Sequence, residues 1–196
     1  MAYLTGDGID LLPLDTDDDR HVEVYRRTRV DPAIRATGWY GEPMAPRAAR
    51  EHLDTKIDEG VEFYALTPRV TESPDPAVTD ARGRPIVGWA RAGMRDERAR
   101  RVDVSCYVLP DWQGRGYGTE AARLVTHYAF AELNARKVEA RSQADNEATA
   151  AILTGLGFER EATIRDCMYV DGAYVDTAIY GVFEDGFEPD PEARIQ

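Results

Sequence analysis

The sequence predicts a mixed α/β (α+β) domain, a central sheet flanked by helices. Three observations predict it. Short apolar, β-branched runs alternate with amphipathic stretches in the order β-α-α-β-β-β-α-β-α-β-β. A glycine-rich segment, Gln113-Gly114-Arg115-Gly116-Tyr117-Gly118-Thr119-Glu120, joins the apolar run 102–109 to an amphipathic pattern over 121–133. Two last apolar runs flank Asp171-Gly172, a hairpin turn signal. With 196 residues, 43% of them hydrophobic, the chain has ample material for one core. One domain over 1–186 is expected, with a mobile acidic tail over 187–196.

The elements follow in order. Residues 9–14 read as a first strand. Asp15, Asp17, Asp18 and Asp19 offer capping oxygens and first-turn acids for a helix toward Arg29. Pro32 punctuates its exit. Residues 38–43 read as a loop, and 47–57 as a second helix that Gly60 stops. Residues 61–66 alternate like a strand. The stretch 68–85, rich in Pro, Asp, Thr and Gly, reads as an exposed loop. Strands over 86–94 and 99–109 are joined by the polar turn 95–98. After the glycine turn and its helix, 137–142 form a short strand. Asp145-Asn146 cap a helix through Leu156, with Gly157 as its stop. Residues 158–168 and 174–183 make the closing hairpin.

Composition narrows the function classes. Asp plus Glu number 36 against 24 Lys plus Arg, a net charge of −12, and lysine occurs only at Lys56 and Lys137. Such a surface disfavours nucleic acid and anionic membranes as partners. It suits a salt-rich cytoplasm and an ordinary acidic protein equally, so a halophilic source stays open. No apolar run nears the roughly 20 residues of a membrane span. The N-terminus lacks the basic-then-apolar layout of a signal peptide, and a cytoplasmic location is expected. Cys106 and Cys167 are the only cysteines, which argues against a disulfide framework and suggests no zinc or other metal site.

The glycine turn carries the most information. The first amides of a helix have no intrahelical acceptor, and with the helix dipole they suit a phosphate. A dinucleotide fingerprint needs G-x-G-x-x-G, with an acid about 20 residues on; Gly114-x-Gly116-x-Gly118 has the wrong step. A P-loop needs a lysine before its Ser/Thr, whereas Thr119 follows Gly118 directly. The pattern that fits is Q/R-x-x-G-x-G/A, with Gln113, Gly116 and Gly118 in place.

With that pattern the chain resembles the GNAT N-acetyltransferase superfamily. Asp145-Asn146-Glu147-Ala148-Thr149, then Leu156-Gly157-Phe158, look like the family's N-x-x-S … L-G-F helix. Residues 165–176 look like the C-terminal hairpin of its RimJ/RimL-like branch. The resemblance is strong over 102–183 and weaker before it.

The resemblance implies a mostly antiparallel sheet with one splayed parallel strand pair, here 103–109 and 137–142. It implies acetyl-CoA as cosubstrate. Its pyrophosphate would lie on Gln113, Gly114, Arg115, Gly116, Tyr117, Gly118 and Thr119, with the Arg115 charge alongside. Backbone groups near Cys106, Tyr107, Val108 and Leu109 would hold the pantetheine arm and polarise the thioester carbonyl. Asn146 matches a cofactor-contacting asparagine that also caps a helix. Thr149 stands where the branch has Ser and would donate to the departing thiolate. The attacking amine must lose a proton, and Asp103, acting through a water, is the expected base. Many relatives carry a tyrosine acid where Leu153 stands here. Cys106 has no histidine partner and is not expected to be a nucleophile.

The acceptor wall is expected from Trp39 and Tyr40 in the loop after the first helix, Tyr169 and Tyr174 beside the hairpin turn, and Ser105, which shares a strand face with Asp103 and Tyr107. His21 and His52 lie on the N-terminal helices with no visible partner. The acidic surface suggests a basic acceptor, such as a peptide N-terminus or a polyamine. The expected activity is N-acetyl transfer to an amine, a protein α-amine or a small molecule, by direct attack in a ternary complex. The expected partners are acetyl-CoA and that amine, with a homodimer left open. The alternative is a non-catalytic acyl-CoA-binding or sensor module, which Leu153 keeps alive. An acidic interaction domain with a fortuitous turn is the third.

Overall fold

The computed structural model describes residues 3–37, 43–69, 78–80, 82–170, 172–188 and 193–195. Its elements are β1 (Leu4–Thr5), β2 (Ile9–Pro13), α1 (Asp19–Val30), α2 (Pro32–Thr37), α3 (Pro46–Asp58), β3 (Val61–Pro68), β4 (Gly88–Asp96) and β5 (Arg101–Val108). There follow α4 (Tyr117–Ala131), β6 (Lys137–Gln143), α5 (Glu147–Gly155), β7 (Glu159–Val170), β8 (Ala173–Phe183) and β9 (Arg194–Ile195). One nine-stranded sheet runs in the order β7-β8-β6-β5-β4-β3-β2-β1-β9. Its pairings are antiparallel except β5 with β6. This is the mixed, mostly antiparallel sheet with one parallel pair that the sequence predicts.

Strand alternation sends side chains to opposite faces. Phe63, Ala65 and Trp89 pack with Val22, Val24 and Tyr25 of α1 and Ala49 and Leu53 of α3. Their neighbours Tyr64, Leu66, Ala90 and Ala92 join a larger core under α4 and α5, with Leu124, Val125, Tyr128 and Leu153. The central strands are thus covered on both faces. None of the helices among the described residues is long and apolar enough to cross a membrane.

Several helix ends are set locally. Asp18 caps α1, its carboxylate accepting from Arg20 N at 2.9 Å. Pro32 ends α1 and also opens α2, which the sequence reading did not foresee. Proline suits the first helical position, and Asp31 accepts from Ala33 N at 2.9 Å there. Glu120 does more than favour the α4 dipole. Its Oε1 accepts from Gly8 N at 2.8 Å and Ile9 N at 3.2 Å, fastening β2 to the first turn of α4.

Beyond 186, described residues pack against the rest of the domain. Phe187 is buried against Phe130, with ring centroids 5.5 Å apart. Arg194–Ile195 add a ninth strand beside β1. Apolar side chains in an acidic context carry this docking, and two-residue strands leave no periodicity to read.

Candidate functional site

β5 and β6 pair at only three positions, Arg101 with Lys137, Val102 with Val138 and Asp103 with Glu139. Beyond Asp103 the strands part, and a cleft of about 560 Å³ opens between them. Val104 to Val108 line one wall, Ala140, Arg141 and Ser142 the other, and α4 and α5 close the sides. On its far side β5 stays bound to β4. Gly88 makes that approach possible, since a Cβ there would sit 2.0 Å from Tyr107 O. The β5 backbone groups on the β4 side are therefore paired, while beyond Asp103 those on the other side face the cleft.

The glycine turn closes one end. Gly114 (φ 74°) and Gly116 (φ 85°) adopt left-handed backbone that L side chains rarely take. Gly116 is the N-cap of α4 and brings no capping side chain. Glu120 N is the first α4 amide to bond within the helix, to Gly116 O at 3.0 Å. The amides of Tyr117, Gly118 and Thr119 precede any intrahelical acceptor. Gly114, Gly116, Tyr117, Gly118 and Thr119 all line the cleft. Gln113 lines it too and braces the turn, its Nε2 donating to Val108 O at 2.9 Å. The arrangement fits a phosphate group: open amides at a helix start, with the dipole behind them.

Asn146 and Thr149 enter the same cleft from α5. Asn146 Oδ1 accepts from Thr149 N at 3.0 Å, so the asparagine is the α5 cap. Leu153 is buried and also lines the cleft, leaving that position without a proton donor. Cys106 points into the wall near Gly118 O, 3.6 Å from its Sγ. Burial pushes its thiol up to about 11, so it stays protonated and a poor nucleophile at neutral pH.

Two expected cofactor residues sit elsewhere. Leu109 does not line the cleft; it is buried, and its amide donates to Val87 O at 2.8 Å. Arg115 folds away from the cleft, donating to Asp111 O at 3.1 Å with its guanidinium 4.7 Å above the Trp112 ring. That stacking satisfies its flat cation better than open solvent does.

A second cavity of about 480 Å³ lies on the other side of β5. Asp103, Ser105 and Tyr107 line it, as two-residue alternation requires. Ser105, Tyr107 and Arg141 line both cavities, so the two meet there. Asp103 is ion-paired with Arg91 on β4, a diagonal neighbour, since Gly93 stands opposite Asp103 and Arg91 opposite Ser105. Tyr107 stacks on Trp89 with centroids 4.8 Å apart.

His52, without a visible partner in the sequence, lies here against Arg29, 3.2 Å from Nη2 to Nε2. Burial, then the charges of Arg29 and Lys56, hold its imidazole below the usual range. His21 also gains a partner: its Nδ1 accepts from Asp15 N at 2.9 Å.

The expected aromatic wall is different. Tyr169 and Tyr174 line neither cavity. They meet edge to face at the hairpin tip, 63% and 69% exposed. β6 ends at Gln143 opposite Thr177, so the hairpin beyond it runs on without a third strand and carries both rings outward. Trp39, Tyr40 and Asp171 lie outside the described residues. Sequence reasoning missed Arg29, Arg91, Trp89 and Arg141. They come from α1, β4 and β6, and no local spacing links them.

The chain is similar to an uncharacterized N-acetyltransferase of Bacillus subtilis, YoaA, with 29% identity over 86 residues, 44% of this chain and 49% of that protein. It spans about half the length of the curated relatives it matches. Among solved structures, RimL, the ribosomal L7/L12 alpha-N-protein acetyltransferase in complex with coenzyme A, superposes with a TM-score of 0.75 at 16% identity, over 95% of this chain and 99% of that one. The spermidine N-acetyltransferase of Vibrio cholerae, in complex with CoA and spermine, gives 0.73 at 18% identity, over 94% and 97%. At such identities the superpositions establish the fold alone. The acetyltransferase (GNAT) domain model matches residues 9–159, over half of the chain. With the splayed β5–β6 pair and the amide-lined turn, this chain belongs to the acetyltransferase (GNAT) domain family.

Proposed function

We propose that the protein transfers an acetyl group from acetyl-CoA to an amine by direct attack in a ternary complex. One observation carries the reading: an amide-capped cleft and a second cavity meet at Ser105, Tyr107 and Arg141. Donor and acceptor can then approach from opposite sides of one strand. When bound, acetyl-CoA supplies an acyl group activated as a thioester.

The chain's own residues do the rest. The amides of Tyr117, Gly118 and Thr119 hold the pyrophosphate without any lysine. The open edge of β5 over Val104 to Val108 aligns the pantetheine arm and offers backbone donors to the thioester carbonyl. Asp103 takes the proton of the attacking amine through a water. As the N–C bond forms the C–S bond breaks, and the Thr149 hydroxyl donates a hydrogen bond to the departing sulfur. Cys106 takes no part, because a protonated thiol with no base beside it cannot attack. Its free state and that of Cys167 suit a reducing, cytoplasmic compartment.

A thiol-release assay with acetyl-CoA and a panel of amines, peptide N-termini and aminoglycosides included, tests the reading. Amine-dependent release is expected. Cofactor binding without release across the panel would favour a non-catalytic acyl-CoA-binding module, the reading to which the apolar Leu153 belongs.

A further inference from the structure

The acceptor cavity carries the opposite sign of charge from the protein as a whole. Among the described residues Arg29, Lys56, Arg91, Arg95 and Arg141 line it, against the carboxylate of Asp103. Two more carboxylates stand just behind the lining: Glu59, 2.6 Å from Lys56, and Glu139, 3.7 Å from Arg95. Even with both counted, cations exceed anions among the described residues. His52 adds no charge at neutral pH, since its imidazole is held below the usual range. In a chain of net charge −12, arginines gathered around one small cavity are a local feature and not a reflection of composition.

The cavity is also organised. The Arg29 guanidinium donates to Tyr25 Oη, reaches His52 and lies 5.0 Å above the Tyr25 ring, so its position is set before any ligand arrives. Arg141 stands where the two cavities join. Trp89 and Tyr107, with ring centroids 4.8 Å apart, also line the cavity and give an apolar wall for a carbon skeleton. A volume of about 480 Å³ holds a small molecule or the first residues of a peptide.

We propose that the acceptor amine also carries a carboxylate, which Arg29 and Arg141 bind while the amine faces Asp103. The inference rests on the transferase reading. Planar guanidinium groups pair with carboxylates through two parallel hydrogen bonds, and a partly buried site strengthens such pairs. A polyamine would instead bring its second cation into a cationic cavity, at a cost in like-charge repulsion. The acidic outer surface points toward basic acceptors only at long range, where salt screens it within about 8–10 Å. At the site, the nearby arginines dominate.

The test measures binding apart from turnover. Glutarate and cadaverine have equal carbon chains and opposite charges. Calorimetry on the wild type, with CoA present, is expected to give at least tenfold tighter binding for glutarate. Arg29→Gln and Arg141→Gln should each erase most of that preference. Retained CoA-induced thermal stabilisation in Arg29→Gln shows that this variant is folded. Cadaverine binding equally or more tightly, no glutarate binding, or glutarate binding unchanged in both variants would overturn the proposal. Failure of thiol release with every amine would count against the transferase reading, while the glutarate preference would still report on the cavity.

Discussion

The two cavities that meet at β5 are made of different material. The cofactor cleft is lined by main chain and by small or apolar side chains: the turn glycines, Val104, Val108, Ala140, Leu153. The acceptor cavity is lined by long charged and aromatic side chains from α1, α3, β3, β4, β5 and β6. The first offers a ligand backbone amides and a helix dipole. The second offers arginines whose positions depend on what packs around them. A site of the first kind is defined by conformation, and one of the second by assembly.

That contrast can be broken at either cavity. The largest effect is expected at Asp103. Asp103→Asn should lower kcat by roughly 10²- to 10⁴-fold and leave acetyl-CoA affinity by calorimetry unchanged. Lost cofactor affinity would mean that the cavities are one energetic unit. Gly116→Val comes next, because a β-branched residue is an outlier in left-handed backbone. A cost of about 1–2 kcal/mol corresponds to roughly tenfold weaker acetyl-CoA binding. Glutarate binding in the other cavity should not change. An unaltered cofactor Kd would remove the turn from the cofactor site.

Asn146 sharpens the comparison on the cleft side. Asn146→Ala should cost about 1 kcal/mol in urea unfolding, as a lost N-cap does. Asn146→Asp keeps the capping oxygen, so most stability should return. If the amide also contacts the cofactor, acetyl-CoA binding stays weak in Asn146→Asp; full recovery of both would leave the residue only its cap. The smallest effect belongs to Cys106. Cys106→Ala should change kcat by less than about threefold, under 1 kcal/mol of barrier. With its thiol raised to about 11, Cys106 is the neutral acid throughout pH 7–9. Iodoacetamide should then label the exposed Cys167 first. Mass spectrometry of an acetyl-CoA reaction showing acylated Cys106 would defeat the direct-attack reading.

Legibility followed the same division. The turn, the α5 cap at Asn146 and the main strands could be read because each is a local demand on residue type: glycine for positive φ, asparagine for a cap, β-branched runs for strands; the parallel pairing came from the family resemblance. β1, β9 and α2 left no such mark, being two to six residues long. The aromatic guess for the acceptor wall put Tyr169 and Tyr174 inward, although the hairpin outruns β6 and holds them in solvent. Net charge did not disclose the basic lining of the acceptor cavity, since it sums a whole surface whereas a ligand meets only the charges within a few ångströms.

By itself, then, the sequence determined the main strands, the glycine turn and the family resemblance, because hydrogen-bonding geometry and glycine conformations are set over a few consecutive residues. Only the tertiary structure decided that Asp103 faces Arg91, that Arg115 turns away over Trp112, and that arginines from α1, β4 and β6 surround one cavity. Those depend on distances between segments far apart in the chain, which packing alone settles.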